Sequence, residues 1–198
     1  MNTVATVPLS FRILSVRETW LKMTLAVAFA CLTAVGAQVR IPLPFTPVPL
    51  TLQTLFVLSS GMLLGPGYGI VSMAAYAAMG AAGLPVFTGA ASGIGIWSGV
   101  TAGYLAGFVL FAGISGWAFR QVRFRGLRPQ LQCGLFYLGD IAFILIPGTV
   151  VLKIVVGTGW ATAAALGFYP FLFGDLLKVI AAYTGTRFLE RRFPVGDD

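Results

Sequence analysis

Almost every charged residue of this chain sits in a short stretch between long apolar runs, and that pattern decides what its solvent must be. With 58% hydrophobic and 10% charged residues and a mean hydropathy of +0.90, the 198-residue chain has more apolar surface than a soluble domain of that length can bury. It reads as an all-α integral membrane protein. The formal charge of +7 comes from clusters between the apolar runs rather than from an amphipathic face, which argues for orientation in a lipid bilayer and against a nucleic-acid partner. Cys31 and Cys133 offer neither metal nor disulfide spacing.

The runs lay out as one membrane domain over 1–198 with about six helices, near 21–39, 51–64, 70–82, 101–119, 131–153 and 168–188. A span of ~30 Å needs about twenty apolar residues. The first run meets that length and is followed by others, so it reads as a retained span, not a cleaved signal. In the stretch 40–50, Pro42, Pro44, Pro47 and Pro49 exclude a regular helix and favour extended backbone. Gly65-Pro66-Gly67-Tyr68-Gly69 marks a tight reversal between two short helices. The stretch 83–99 is rich in glycine but holds Pro85, Phe87 and Trp97, the composition of an ordered loop folded back over a bundle. A third loop covers 154–167.

Short cytoplasmic loops collect Lys and Arg. Six crossings with cytoplasmic N- and C-termini put Arg12, Arg17, Lys22, Arg120, Arg123, Arg125, Arg128, Arg187, Arg191 and Arg192 on one side, leaving Arg40 and Lys153 as the exceptions outside. A re-entrant pair at 51–82 leaves every later loop on the same side, so four to six helices satisfy the rule. The loops 40–50, 83–99 and 154–167 then meet on the outer face.

Beneath them, Asp175 and Lys178 interrupt the last apolar run. A charged side chain at the centre of a membrane helix costs roughly 2.5–3.5 kcal/mol, so such residues face a cavity or a partner. Three apart, they share one helix face. Asp175 falls ~10 Å below the outer start of its helix and Lys178 about one turn deeper, the floor of a pocket open to the outside. A structural ion pair tying the last helix to its neighbours is the alternative. Asp140, ~14 Å from the inner start of its helix, approaches the depth of Lys178. It reads either as a contact to the Lys178 region from below or as the proton-carrying acid of a stand-alone carrier.

Phe45, Tyr76, Phe87, Trp97 and Tyr104 are candidates for apolar pocket walls, against the alternative of interfacial anchors. Gln53 is a polar residue near the outer end of a short helix, facing either a ligand or neighbouring backbone. Ala26, Ala30 and Ala34 form a flat stripe that admits a closely packed helix. The Gly103/Gly107 pair reads as internal packing. Enzymatic readings fail on inventory. Ala90-Ala91-Ser92-Gly93 faintly resembles the serine motif of rhomboid proteases, but the chain has no histidine to act as base. A lipid-modifying enzyme needs several acids or a metal cluster near one interface, and only Asp140 and Asp175 lie within the spans.

The run from Pro44 to Leu55, PFTPVPLTLQTL, followed by Ser60-Gly61 and Leu64-Gly65, closely resembles the signature of the BioY biotin transporters, the substrate-binding S components of energy-coupling factor (ECF) transporters. Gly83-Leu84-Pro85-Val86-Phe87, Gly103-Tyr104-Leu105-Ala106-Gly107-Phe108, Gly157-Thr158 with Trp160, and Gly174-Asp175 with Lys178 extend the resemblance in the same order. It runs from about Leu25 to Thr186. One departure is Gly99-Val100-Thr101-Ala102-Gly103, where the family more often reads Gly-Pro-Thr-Gly-Gly.

The resemblance implies a six-helix protein of the cell membrane that captures biotin from outside, with no catalysis or cofactor of its own. It further implies a transmembrane coupling protein and a pair of ATPases as partners, and the chain itself lacks the G-x-x-x-x-G-K-[ST] phosphate loop needed to use ATP. Carried over from the family, Asp175 and Lys178 would bind the ureido ring, whose N–H donors and carbonyl acceptor suit a carboxylate and an ammonium. Phe45, Tyr76, Phe87, Trp97 and Tyr104 would wall the sulfur ring and valeryl chain, Gln53 would meet the carboxylate or backbone, and Ala26, Ala30 and Ala34 would dock the coupling protein. Composition and spacing alone leave another small vitamin, such as thiamine or riboflavin, equally open.

Overall fold

A computed structural model describes residues 9–124 and 126–192, with side chains described over 19–122 and 126–192. The elements are α1 (Leu9–Gln38), a two-residue ribbon of β1 (Arg40–Ile41) and β2 (Leu50–Thr51), α2 (Gln53–Leu64), α3 (Pro66–Ala81), and two 3-10 turns (Thr88–Ala90 and Ile94–Ser98). Then come α4 (Ala102–Phe124), α5 (Pro129–Asp140), a π turn (Ile141–Leu145), α6 (Ile146–Val156), α7 (Trp160–Gly167) and α8 (Tyr169–Arg192).

Among the described residues, five helical segments are long and apolar enough to cross a membrane: Thr19–Gln38, Gln53–Ala81, Ala102–Val122, Pro129–Val156 and Trp160–Arg192. The second doubles back. Gly65, at φ 83°, ends α2 and starts α3, and the far ends of the two helices meet again where Gln53 Nε2 donates to Tyr76 Oη at 2.7 Å. Counted as two passes, this hairpin makes six. Left-handed backbone at Gly65 suits glycine, and the Arg120 guanidinium lies against it, so a Cβ there would displace that side chain.

Helix α4 is the axis of the bundle, packed on α2 and α3 on one side and on α6 and the π turn on the other. Small residues set both interfaces. A Cβ at Gly61 would strike the Ala112 carbonyl of α4, and a Cβ at Gly107 would strike the Phe143 carbonyl of the π turn. The Gly103/Gly107 pair is therefore packed inside the chain, with Gly103 against Pro147 and Gly148. Because backbone rather than side chain blocks the space, Gly107→Val is expected to lower stability by about 1–3 kcal/mol, the usual cost of overpacking. Thermal unfolding in detergent would register the drop, while Gly134→Val, with open space at its Cα, should leave the melting temperature unchanged.

Three expectations need correction. The helix expected over 131–153 is not regular, because Pro147 cannot donate to residue 143 and its ring crowds the preceding turn. The chain answers with the π turn, closed by the Ile146 N–H donating to the Ile141 carbonyl. The loop expected over 154–167 holds α7, whose Ala-rich sequence WATAAALG is a good helix former. Third, the Ala26/Ala30/Ala34 stripe, expected as a docking surface, is packed inside: Ala26 and Ala30 are 0% exposed and Ala34 is partly buried. The physical reason is the close approach of α1 to α2 and α3, for which small residues are required.

The outer connections are tied down by side chains. Gln38 Nε2 donates to the Phe87 carbonyl at 3.0 Å, and Gln38 Oε1 accepts from the Ala90 N–H at 3.1 Å. Thr46 Oγ1 donates to the Leu166 carbonyl at 2.6 Å, linking the proline-rich segment to α7. These bonds satisfy loop backbone that would otherwise be orphaned.

Candidate ligand-binding site

Between the proline-rich segment, the 83–99 segment, α4, the π turn and α8 lies a cavity of about 290 Å³. That is near the lower end of the ~300–1,000 Å³ common for small-molecule pockets. Its lining divides by chemistry. Phe87, Ile96, Leu105, Phe108, Ile144, Leu145 and Phe171 supply apolar walls, while Arg40, Thr51, Gln53, Thr54, Thr88, Thr101, Asp175 and Lys178 supply polar groups.

Helix α8 places Asp175 and Lys178 on one face, and their side chains form an ion pair at the cavity floor. Both are nearly enclosed, with side-chain exposures of 3% and 8%. Lys178 Nζ also donates to the Thr51 carbonyl at 2.9 Å. Gly174 makes this possible: a Cβ there would meet the Leu50 side chain, so the absent side chain lets β2 settle on α8. An ammonium has three donors, and the ion pair and Thr51 occupy two.

Gln53 stands beside the pair at the start of α2 and is almost fully used by the protein. Its Oε1 accepts from Thr51 Oγ1 at 2.9 Å and Thr88 Oγ1 at 3.1 Å, while its Nε2 donates to Tyr76. Tyr76 passes the chain on, donating to the Val86 carbonyl at 3.2 Å. This network fixes the rim rather than leaving Gln53 free.

Five of the eight expected site residues therefore meet at the cavity: Gln53, Phe87, Tyr104, Asp175 and Lys178. Three do not. Tyr76 is buried behind Gln53, its ring edge-on to Phe87 at 5.5 Å. Phe45 is 57% exposed and does not line the cavity. Trp97 is partly buried but turned away, and its neighbour Ile96 faces the cavity instead. Tyr104 contributes its ring, because its hydroxyl donates to the Gly167 carbonyl at 2.7 Å and fastens α4 to α7.

Arg40 was not expected at the site. It follows α1 in the ribbon, pairs with Thr51 in register, and brings its guanidinium over Gly89 at the cavity rim. The signal was present in the sequence, since Arg40 and Lys153 broke the charge asymmetry. Lys153 has a separate explanation, its ammonium lying 4.9 Å from the Trp160 ring centroid.

A multi-pass helical bundle, with a small pocket at one end floored by a buried ion pair, defines a membrane protein built around a small-solute site. The chain belongs to the BioY family, whose model matches residues 7–195. It is 39% identical over 154 residues to the biotin transporter BioY of Thermotoga maritima, covering 78% of this chain and 86% of that protein. It is 35% identical over 161 residues to the probable biotin transporter BioY of Pyrococcus horikoshii, covering 81% and 91%. In fold it resembles the crystal structure of the S-component for biotin from an ECF-type ABC transporter, with a TM-score of 0.79, 24% identity, and 88% of this chain and 93% of that one covered.

Proposed function

We propose that this chain captures biotin at the outer face of the cell membrane as the S component of an ECF-type transporter, with Asp175 and Lys178 as its head-group site. The observation that carries the reading is the buried pair opening onto the cavity in a member of the BioY family. A ureido ring needs an acceptor for its N–H groups and a donor for its carbonyl. Asp175 supplies the first and the remaining Lys178 N–H the second, in surroundings where charge-assisted bonds are strong. Phe87, Tyr104, Phe108 and Phe171 wall the sulfur ring and valeryl chain. No catalytic step falls to this chain; a transmembrane coupling protein and a pair of ATPases supply the energy.

The purified chain in nanodiscs, titrated with biotin, riboflavin and thiamine, should bind biotin saturably and the others not at all. Saturable riboflavin binding without biotin binding would overturn the assignment. At the rim, Arg40 is the cation placed to meet the valerate carboxylate. Arg40→Gln should weaken biotin binding by about threefold to tenfold, a modest loss because the group is exposed, and leave binding of biotin amide unchanged. An equal loss for both ligands would remove Arg40 from that contact.

A further inference from the structure

The last residue of α1 holds one wall of the cavity from outside it. Gln38 does not line the cavity, yet both ends of its amide are committed to the turn at 87–91: Nε2 donates to the Phe87 carbonyl at 3.0 Å, and Oε1 accepts from the Ala90 N–H at 3.1 Å. Its Nε2 also reaches the Ala34 carbonyl of α1 at 3.4 Å, which fixes the direction of the amide. At its base the turn is closed by the Phe87 N–H, which donates to the Ala91 carbonyl at 3.1 Å. Phe87 and Thr88 both line the cavity. Phe87 is 3% exposed, with its ring filling the space beside Gly80, and Thr88 donates its hydroxyl to Gln53 Oε1 at 3.1 Å.

The tip of this turn carries a backbone conformation that its sequence disfavours. Gly89 and Ala90 follow one another at φ 74° and φ 58°, and among the described residues Ala90 is the only non-glycine with positive φ. Left-handed backbone crowds a Cβ against the carbonyl oxygen, so an alanine stays there only where its surroundings over-determine it. Two side chains from the end of α1 and the start of the ribbon provide that restraint: the Arg40 guanidinium over Gly89 and the Gln38 amide on Ala90. Arg40 bears on a glycine, which adopts the conformation unaided. Gln38 bears on the strained residue.

We propose that Gln38 is a positioning residue for the ligand site: by holding Ala90 in left-handed backbone it keeps the 87–91 turn folded, with Phe87 and Thr88 set against the ligand. Gln38 itself makes no ligand contact. Without this clamp the turn is shared between its folded shape and relaxed ones, and affinity falls by the fraction that stays folded. The identity of the ligand rests on the biotin reading; the hold of Gln38 on the turn does not.

Gln38→Ala tests the clamp in the full chain. Gln38 is exposed at a helix end and alanine is a good helix former, so the melting temperature in detergent should not move. In hydrogen-exchange mass spectrometry of the ligand-free chain, the peptide containing Ala90 should exchange at least about tenfold faster, with the loss of protection confined to this turn. Biotin affinity should fall by about threefold to tenfold, chiefly through faster dissociation. Ala90→Gly is the discriminating partner, because glycine at this φ removes the need for a clamp. Alone it should bind biotin within about twofold of wild type, and added to Gln38→Ala it should recover most of the lost affinity. A role confined to stability would instead lower the melting temperature and gain nothing from glycine at position 90. Unchanged exchange at the turn, unchanged biotin affinity in Gln38→Ala, or a loss that Ala90→Gly does not recover overturns the proposal. Faster exchange in Gln38→Ala together with a wild type that binds no biotin overturns the biotin reading and leaves the clamp in place.

Discussion

Lys178→Met is expected to abolish measurable biotin binding and to destabilise the empty protein. Methionine preserves length and most of the volume, so packing is not what fails. The ammonium is the group that joins the Asp175 carboxylate to the Thr51 carbonyl, and through Thr51 it holds β2 against α8. Removing one partner of a buried pair typically costs about 3–5 kcal/mol, because the other charge is left uncompensated. Asp175 can escape that cost only by taking up a proton, and then it no longer accepts both ligand N–H groups as a carboxylate. Thermal unfolding in detergent should show a clear loss of stability. Adding Asp175→Leu should return most of the stability, since replacing a whole buried pair by apolar groups is close to neutral, while binding stays lost. A single Lys178→Met variant with an unchanged melting temperature would show that the pair contributes nothing to holding the bundle.

How much of this could be read from the sequence depends on which physical rule governs each residue. Lipid as solvent makes any intramembrane charge expensive, so Asp175, Lys178 and Asp140 stood out at once. The asymmetry of Lys and Arg between the two sides exposed Arg40 as a cation on the wrong side, although its place at the rim needed the pairing of β1 with β2. Proline and glycine placed the hairpin at Gly65, because those residues restrict or free the backbone locally. Side-chain direction in irregular segments follows no period, and so Ile96 rather than Trp97 turned inward. Tyr76 lies in the right region but its hydroxyl is spent on Gln53 and Val86, a tertiary fact no spacing records. The alanine stripe correctly signalled close helix packing, yet a small-residue face does not say whether its partner is inside or outside the chain.

The second large effect separates the two charges of the pair. Asp175→Asn removes the anion but keeps the shape, and it is expected to weaken biotin binding by at least about tenfold, or ~1.4 kcal/mol. An asparagine carbonyl can accept one ureido N–H, but its amide turns a donor toward the same ring, and the charge assistance is gone. The protein should nevertheless stay folded, and here the neighbourhood of the pair matters. Lys178 loses its counter-ion, yet its ammonium keeps the Thr51 carbonyl at 2.9 Å and can donate to the oxygen of the new amide. Lys178→Met takes away the ion pair and the bond to Thr51 at once. The melting temperature of Asp175→Asn should therefore lie well above that of Lys178→Met. Equal destabilisation by the two single substitutions would show that the Thr51 contact adds nothing once the ion pair is broken. Unchanged biotin affinity in Asp175→Asn would instead leave Asp175 a purely structural partner of Lys178, with the ligand held from elsewhere in the cavity.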